Sequence, residues 1–306
     1  MGCKMSDIDI KRVIALGFFD GVHRGHVALI EKTKEIAREI GAVPSVMSFD
    51  NHPDNFVKEK QLLLINDAAA RADIIERLFG IENIIFLHFD DRVMRMPWRE
   101  FVGSMVRELD AAHLVVGYDF RFGHKGEGTV DRLKEFCAEN GVGCDVISKV
   151  ELDGVTVSST YIRGLIASGE MEQAVKFLGH PHVLVDTVRY GYRLGRTIGA
   201  PTINMRFPEG VLIPAYGVYA TKVILEDGEH MAVTNVGVRP TVGGVDAVSV
   251  ESFILNFSGN LYGRQVRVEF YKFIRSEMKF DGVDSLKAQI RLDAETTREY
   301  FTALQN

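Results

Sequence analysis

The apolar residues of this chain change their period once, at Gly179-His180-Pro181, and that change constrains the architecture more than any other feature. Upstream, from Lys11 to about Val150, short β-branched runs alternate with longer stretches whose apolar residues recur at helical spacing. Such alternation predicts a parallel sheet covered by its crossover helices. Downstream, short strand-like runs are separated by glycine turns, Glu226-Asp227-Gly228-Glu229 and Ser258-Gly259-Asn260. They predict a small closed or nearly closed antiparallel barrel. The 306 residues therefore read as two domains, 1–180 and 181–306.

In the first domain the predicted strands are Arg12 to Leu16, Val43 to Phe49, Asn83 to Leu87, His113 to Val116 and Cys144 to Ile147. A helix from about His23 to Ile40 ends at Gly41, and others follow Asp67, Pro97 and Thr129. Right-handed crossovers then place the loops Gly17 to Val22 and Gly117 to Gly128 along one edge, where ligands usually bind. Two shorter helices, about Ser159 to Ala167 and Glu170 to Leu178, precede the change of period. In the barrel, Tyr219 to Leu225, Met231 to Val236, Val248 to Asn256 and Gln265 to Phe273 read as strands, and Ser285 to Leu304 as a helix.

Charge and cysteine content narrow the function classes. With 36 Lys+Arg against 42 Asp+Glu the net charge is −6, which argues against a generally basic binder of nucleic acid or anionic membrane but leaves room for a local phosphate site. The longest aliphatic run, Leu62 to Ile65, is far short of the ~20 residues of a membrane span. No secretory pattern opens the chain, and Cys3, Cys137 and Cys144 form no CxxC, so a reducing cytoplasm is expected. Gly2, Cys3 and Ser6 fit a loose acylation pattern, read here as a frayed start.

The first strand runs into GFFDGVHRGH, Gly17 to His26, which is not G-x-G-x-x-G and so removes the main support for a dinucleotide oxidoreductase. Gly123 to Thr129 has the glycine spacing of a P-loop without its lysine. What Gly17 to His26 does offer is a tight Asp20-Gly21 turn followed by His23 and His26 at a helix start. Backbone N–H groups and the helix dipole favour an anion there, and imidazoles three residues apart can face one phosphate. Two other readings stay open from spacing alone: capping of a surface turn, and a metal pair.

GFFDGVHRGH resembles the HxGH signature of the nucleotidylyltransferase superfamily, in the form found in bacterial FAD synthetases. SFDNHP (Ser48 to Pro53), VVGYDFRFG (Val115 to Gly123) and VSSTYIR (Val157 to Arg163) resemble further segments of that family, in the same order. The resemblance implies that Gly17, Phe18, Asp20, His23, Gly25 and His26 hold the triphosphate and its transition state. It assigns Ser158, Ser159, Thr160 and Arg163 to the leaving pyrophosphate, and Asp119, Phe120, Arg121 and Phe122 to the flavin pocket. The residue-level alternatives are an ordinary helix cap with a surface arginine at 158–163 and a surface ion pair at Asp119 and Arg121. Asn51 stands where the family often has proline.

The second domain opens on YGYRLGRTIGAPTIN, Tyr190 to Asn204, whose spaced glycines and two arginines, Arg193 and Arg196, suit a nucleotide loop. Thr202 and Asn204 put two oxygen-bearing side chains on one side of an extended segment, a donor set for hard Mg²⁺. With GVYA (Gly217 to Ala220), NVGVRPT (Asn235 to Thr241), VES (Val250 to Ser252), LYG (Leu261 to Gly263) and FIRSEMKF (Phe273 to Phe280), this series resembles bacterial riboflavin kinases. The resemblance implies that Glu251 is the general base, that Thr202 and Asn204 hold Mg-ATP with Gly195, Arg196, Gly199 and Pro201 around it, and that Arg275 lies near the flavin. Ala200, Ile203, Phe253 and Asn256 depart from the family pattern. Alternation puts Ser249, Glu251 and Phe253 on one strand face, without saying which face is inside.

Together the segments imply a bifunctional riboflavin kinase/FAD synthetase. Its substrates would be riboflavin, FMN and ATP, its cofactor Mg²⁺, its product FAD, and its state a monomer or weak homo-oligomer. The rival readings are a single-activity enzyme whose other domain binds flavin or regulates, and a non-catalytic flavin carrier.

Overall fold

Runs such as RVIAL and AAHLVVG carry few polar residues because their strands are covered on both faces. The computed structural model describes residues 10–57, 61–191, 199–239 and 247–304. Gly195 and Arg196, together with Arg193 and the Gly2/Cys3/Ser6 pattern, lie outside the described residues. The chain divides into two units, one formed by residues up to Leu62 and by Asp67–Ser158, the other by Leu63–Asn66 and everything from Ser159 on.

The first unit holds β1 (Arg12–Leu16), α1 (Arg24–Ile40), β2 (Val43–Phe49), α2 (Pro53–Val57), α3 (Ala68–Phe79), β3 (Asn83–Leu87), α4 (Asp91–Arg95), α5 (Trp98–Glu108), β4 (Ala111–Gly117), α6 (Val130–Glu139) and β5 (Gly143–Ile147). A two-residue hairpin, β6 (Glu151–Leu152) with β7 (Val155–Thr156), ends it. The five long strands form a parallel sheet in the order β3-β2-β1-β4-β5, so β1 and β4 are neighbours at its centre. The strand order reverses there, and the loops that leave the carboxyl ends of these two strands begin at Gly17 and Tyr118. The predicted edge thus forms as expected. One face of the sheet buries Ile14, Leu16, Leu114 and Val116 against Phe101, Val102, Leu133 and Phe136 of α5 and α6.

The second unit begins with α7 (Ser159–Ser168) and α8 (Met171–Leu178). The expected division at 180/181 and the packing division at Ser158/Ser159 therefore differ. The reason is local: the Ala215 N–H bonds the Ile166 carbonyl at the end of α7, and Lys272 bonds Glu172 of α8. There follow β8 (His182–Thr187), β9 (Thr202–Met205), β10 (Gly217–Leu225), β11 (Gly228–Arg239), β12 (Ala247–Ile254), β13 (Gln265–Arg275) and α9 (Val283–Ala303). The six strands form one antiparallel sheet ordered β8-β13-β10-β11-β12-β9. A bridge between Arg189 and Asn204 joins its two ends, which makes the nearly closed barrel the turns predict. Inside it, Thr221, Thr234 and Ser252 are fully buried and linked hydroxyl to hydroxyl at 2.7 Å each.

His182 on β8 is fully buried between the rings of Phe207 and Phe270, and neither ring nitrogen has a hydrogen-bond partner. Burial, with His180 nearby, pushes its pKa down from 6.5 to about 3. The unfolded chain then binds a proton that the folded chain refuses between those two values. Stability is fully retained above pH 6.5 and falls as the pH drops below it, by roughly 1.4 kcal/mol per unit from this residue. Urea unfolding from pH 7 to pH 4 is expected to show that slope for the barrel and a flatter one in His182→Phe; equal slopes would contradict it.

Candidate functional site

In the first unit the residues after β1 form a strained turn. Phe19 (φ 57°), Gly21 (φ 76°) and Val22 (φ 41°) all take positive φ, which costs a β-branched residue such as valine the most. The turn delivers His23 to the N-cap of α1, where its Nδ1 accepts from the His26 N–H at 3.4 Å. With Nδ1 accepting, a neutral His23 carries its proton on Nε2. The His26 ring stacks on His23 at 3.7 Å between centroids, 13° from parallel, and lies 5.0 Å from the Phe19 ring. His26 Nδ1 is enclosed without a hydrogen-bond partner. Burial, then the neighbouring His23, then Arg71 lower its pKa well below 6.5. The pair is therefore a fixed double imidazole above the start of a 17-residue helix. Among the described residues no group of three His, Cys, Asp or Glu could hold a metal, so the metal-pair reading finds no third ligand of those types.

Of the predicted nucleotide residues, Gly17 and Phe18 lie at the carboxyl end of β1 and Asp20 is buried in the turn. Gly25 lies in the first turn of α1. The loop after β4 puts Asp119 and Arg121 at the surface, while Phe120 and Phe122 stack at 5.4 Å. Phe122 is buried with Phe101 in the core, so it anchors this loop from beneath. The near-miss P-loop, Gly123 to Thr129, folds as a short 3-10 turn at His124–Gly126 before Thr129 caps α6. Asn51, the departure from proline, exchanges two hydrogen bonds with the Phe89 backbone, at 2.8 and 2.9 Å, and so fixes its own loop.

The second unit places Ser159, Thr160 and Arg163 in the first turns of α7, where Arg163 Nη2 donates to Thr160 Oγ1 at 3.1 Å. Ser158 immediately precedes that helix.

On the barrel, Ser252 faces the interior, so Glu251 and Phe253 lie on the other strand face, where both are half-buried. Register puts Asn204 of β9 and Asn235 of β11 directly beside Glu251. Asn235 donates to Glu277 at 3.4 Å, which brings a second carboxylate along this row. Thr202 shares the face of Asn204 two residues away. A β-carbon at Gly191 would lie 2.5 Å from Asn204 Nδ2, so that glycine keeps space over the asparagine amide. These uncharged oxygen donors with a carboxylate alongside fit Mg²⁺ with phosphate and water as its other ligands.

Two cavities flank this row. One, about 340 Å³, is bounded by Val188, Pro201, Thr202, Leu261 and Tyr262. The other, about 300 Å³, lies between Gly199, Ala200, Phe253 and the cationic side of α9, with Lys287, Arg291 and Arg298. Arg275 makes two hydrogen bonds to Asp293 of α9, at 2.7 and 3.0 Å, so its fork is held by the helix that walls the second cavity.

Sequence reasoning missed Arg71, the fully buried residue of α3 whose guanidinium bonds the Phe18 carbonyl and Ser48 Oγ. A signal was present: Arg71 shares the buried stripe of Ile74 and Ile75 at helical spacing, an unusual place for a charge. It also missed Asn235, which strand register sets beside Glu251, and Glu277, which reaches that row through Asn235.

A family model described as FAD synthetase matches residues 5–161, and one described as riboflavin kinase matches residues 178–301. The chain belongs to the bifunctional riboflavin kinase/FMN adenylyltransferase family. A member of that name from Listeria monocytogenes is 36% identical, covering 97% of this chain and 95% of its own length. Another from Bacillus subtilis is 33% identical over 96% and 94%, and one from Escherichia coli 35% over 94% and 92%. A crystal structure from Streptococcus pneumoniae, described as a macrolide-efflux protein, superposes with a TM-score of 0.83 at 31% identity, covering 94% of both chains. Efflux is the description of that protein; among the described residues of this family member no helix is long and apolar enough to cross a membrane.

Proposed function

We propose that the barrel transfers the γ-phosphate of ATP to riboflavin, and that the parallel-sheet domain transfers AMP from a second ATP to the FMN so formed. The observation that carries the reading is the presence, in one chain, of a stacked imidazole pair on a helix start and a Glu251 row flanked by two cavities. The functional division is assigned at 180/181, consistent with a FAD synthetase match that ends at residue 161 and a riboflavin kinase match that begins at 178.

In the kinase step Glu251 takes the proton of the terminal ribityl hydroxyl as that oxygen bonds to the γ-phosphorus and the bond to ADP breaks. Thr202 and Asn204 are the residues that would hold Mg²⁺, with ATP in the cavity beside Pro201 and Thr202 and riboflavin in the cavity beside Phe253. When bound, Mg²⁺ supplies neutralisation of phosphate charge. The cations of α9 favour a flavin whose side chain becomes a phosphate ester.

In the adenylyl step a phosphate oxygen of FMN bonds to the α-phosphorus of ATP as the bond to pyrophosphate breaks, and no proton need move. His23 and His26 donate to the phosphate oxygens where charge develops, aided by the backbone N–H groups of the α1 start. Ser158, Ser159, Thr160 and Arg163 are assigned to the pyrophosphate, and Asp119 to Phe122 to the flavin. The partners are small molecules, the setting the cytoplasm, and the state a monomer or weak oligomer.

Riboflavin, ATP and Mg²⁺ incubated with the purified chain are expected to yield FMN first and FAD after it by chromatography. FMN alone would leave a single kinase, and no conversion a carrier.

A further inference from the structure

Arg71 belongs to none of the segments that carry the adenylyl chemistry, yet its hydrogen bonds end on the turn that presents it. Nη1 donates to the Phe18 carbonyl at 2.5 Å and to Ser48 Oγ at 2.6 Å, Nη2 to the Phe49 carbonyl at 2.8 Å, and Nε to the Asp67 carbonyl at 3.4 Å. Ser48 Oγ in turn donates to the same Phe18 carbonyl at 2.8 Å. The guanidinium also lies 4.4 Å from the Phe18 ring centroid and 5.3 Å from that of Phe86. A fully buried guanidinium is costly unless its fork is filled, and this one is filled by three separate pieces of chain. They are the exit of β1, the carboxyl end of β2 and the cap of α3.

The turn it grips is the one with positive φ at Phe19 and Val22. Backbone of that kind persists only where its surroundings over-determine it. Phe18 immediately precedes the first strained residue, the Phe19 ring touches His26, and His26 stacks on His23. A continuous line of contact thus runs from Arg71 to the imidazoles.

We propose that Arg71 is a positioning residue for adenylyl transfer: by fixing the Phe18 carbonyl to the end of β2, it holds the strained turn and, through it, His23 and His26 in their reactive arrangement. The proposal rests on the reading of this unit as the adenylyltransferase. His26 is faced by His23 and by Arg71, and Arg71 by Asp20, Asp67 and Asp50. Burial brings Arg71 down to about 10, which leaves it cationic at neutral pH.

Two variants of the full chain separate fork from charge. Arg71→Met loses both, whereas Arg71→Lys keeps the charge but cannot span Phe18, Ser48 and Phe49 at once. FMN adenylylation is expected to lose about 10²-fold in kcat in Arg71→Met, and about tenfold in Arg71→Lys, with KM for FMN changed far less. Riboflavin phosphorylation by the same chains is expected at the wild-type rate. In NMR titrations the His26 imidazole is expected to move to higher pH in Arg71→Met, because the facing charge is lost and a loosened turn relieves its burial. The readouts that separate positioning from a mere loss of packing are the fall in kcat at nearly constant KM and the partial rescue by Arg71→Lys. Wild-type adenylylation by Arg71→Lys overturns the proposal, and so does a loss confined to KM. Absence of FAD formation by the wild-type chain would instead dismiss the underlying reading.

Discussion

Glu251→Gln is expected to abolish FMN formation while FMN already supplied is still converted to FAD. The substitution keeps the shape of the side chain and its place between Asn204 and Asn235, and removes only the capacity to accept a proton. General-base catalysis is worth roughly 10²–10⁴ in rate, so the residual kinase rate should fall by that factor. The second carboxylate of the row, Glu277, is an exposed residue reached through Asn235, not a direct neighbour of the Glu251 position, and is not expected to rescue the loss. Flavins separated by chromatography after incubation with riboflavin, and separately with FMN, measure both steps. Loss of both together would contradict a base dedicated to the barrel.

His26→Ala is expected to produce the opposite pattern. Removing one preorganised donor to developing phosphate charge costs about 10²–10³ in kcat, and here the alanine also removes the ring that stacks on His23 and packs near Phe19. FMN adenylylation should therefore fall by at least that factor. Riboflavin phosphorylation is expected to be unchanged, since His26 belongs to the first unit and Glu251 to the second. A kinase rate that falls in step with adenylylation would contradict the assignment of His26.

Local signals made much of this fold legible. β1, β2 and β3 fall at the predicted residues, and α1 stops at Gly41 because a left-handed C-cap there (φ 68°) suits glycine. The reversal at Glu226-Asp227-Gly228 joins β10 to β11 as its Asp-Gly predicts. What sequence hid is what long-range pairing decides. The inward face of β12 follows from the hydroxyl contacts of Ser252 with Thr234, eighteen residues away. α7 and α8 have ordinary helical periodicity, and nothing local announces that they pack with the strands after them. Arg275 reads as a flavin-side cation from its motif, and the residue that orients its fork, Asp293, is a partner that only the fold of α9 supplies. Arg71 is legible in sequence only as a charge on a buried helical stripe; its role is hidden for the same reason, because its partners at 18, 48 and 49 meet only at the carboxyl ends of adjacent strands.

The most direct test mixes the two variants. Glu251→Gln alone should make neither FMN nor FAD from riboflavin, and His26→Ala alone should stop at FMN. An equimolar mixture with riboflavin, ATP and Mg²⁺ is predicted to make FAD, because FMN released by one chain is a substrate for the other. A mixture that accumulates FMN without FAD, or makes no flavin nucleotide at all, would contradict two chemically separate centres on one chain.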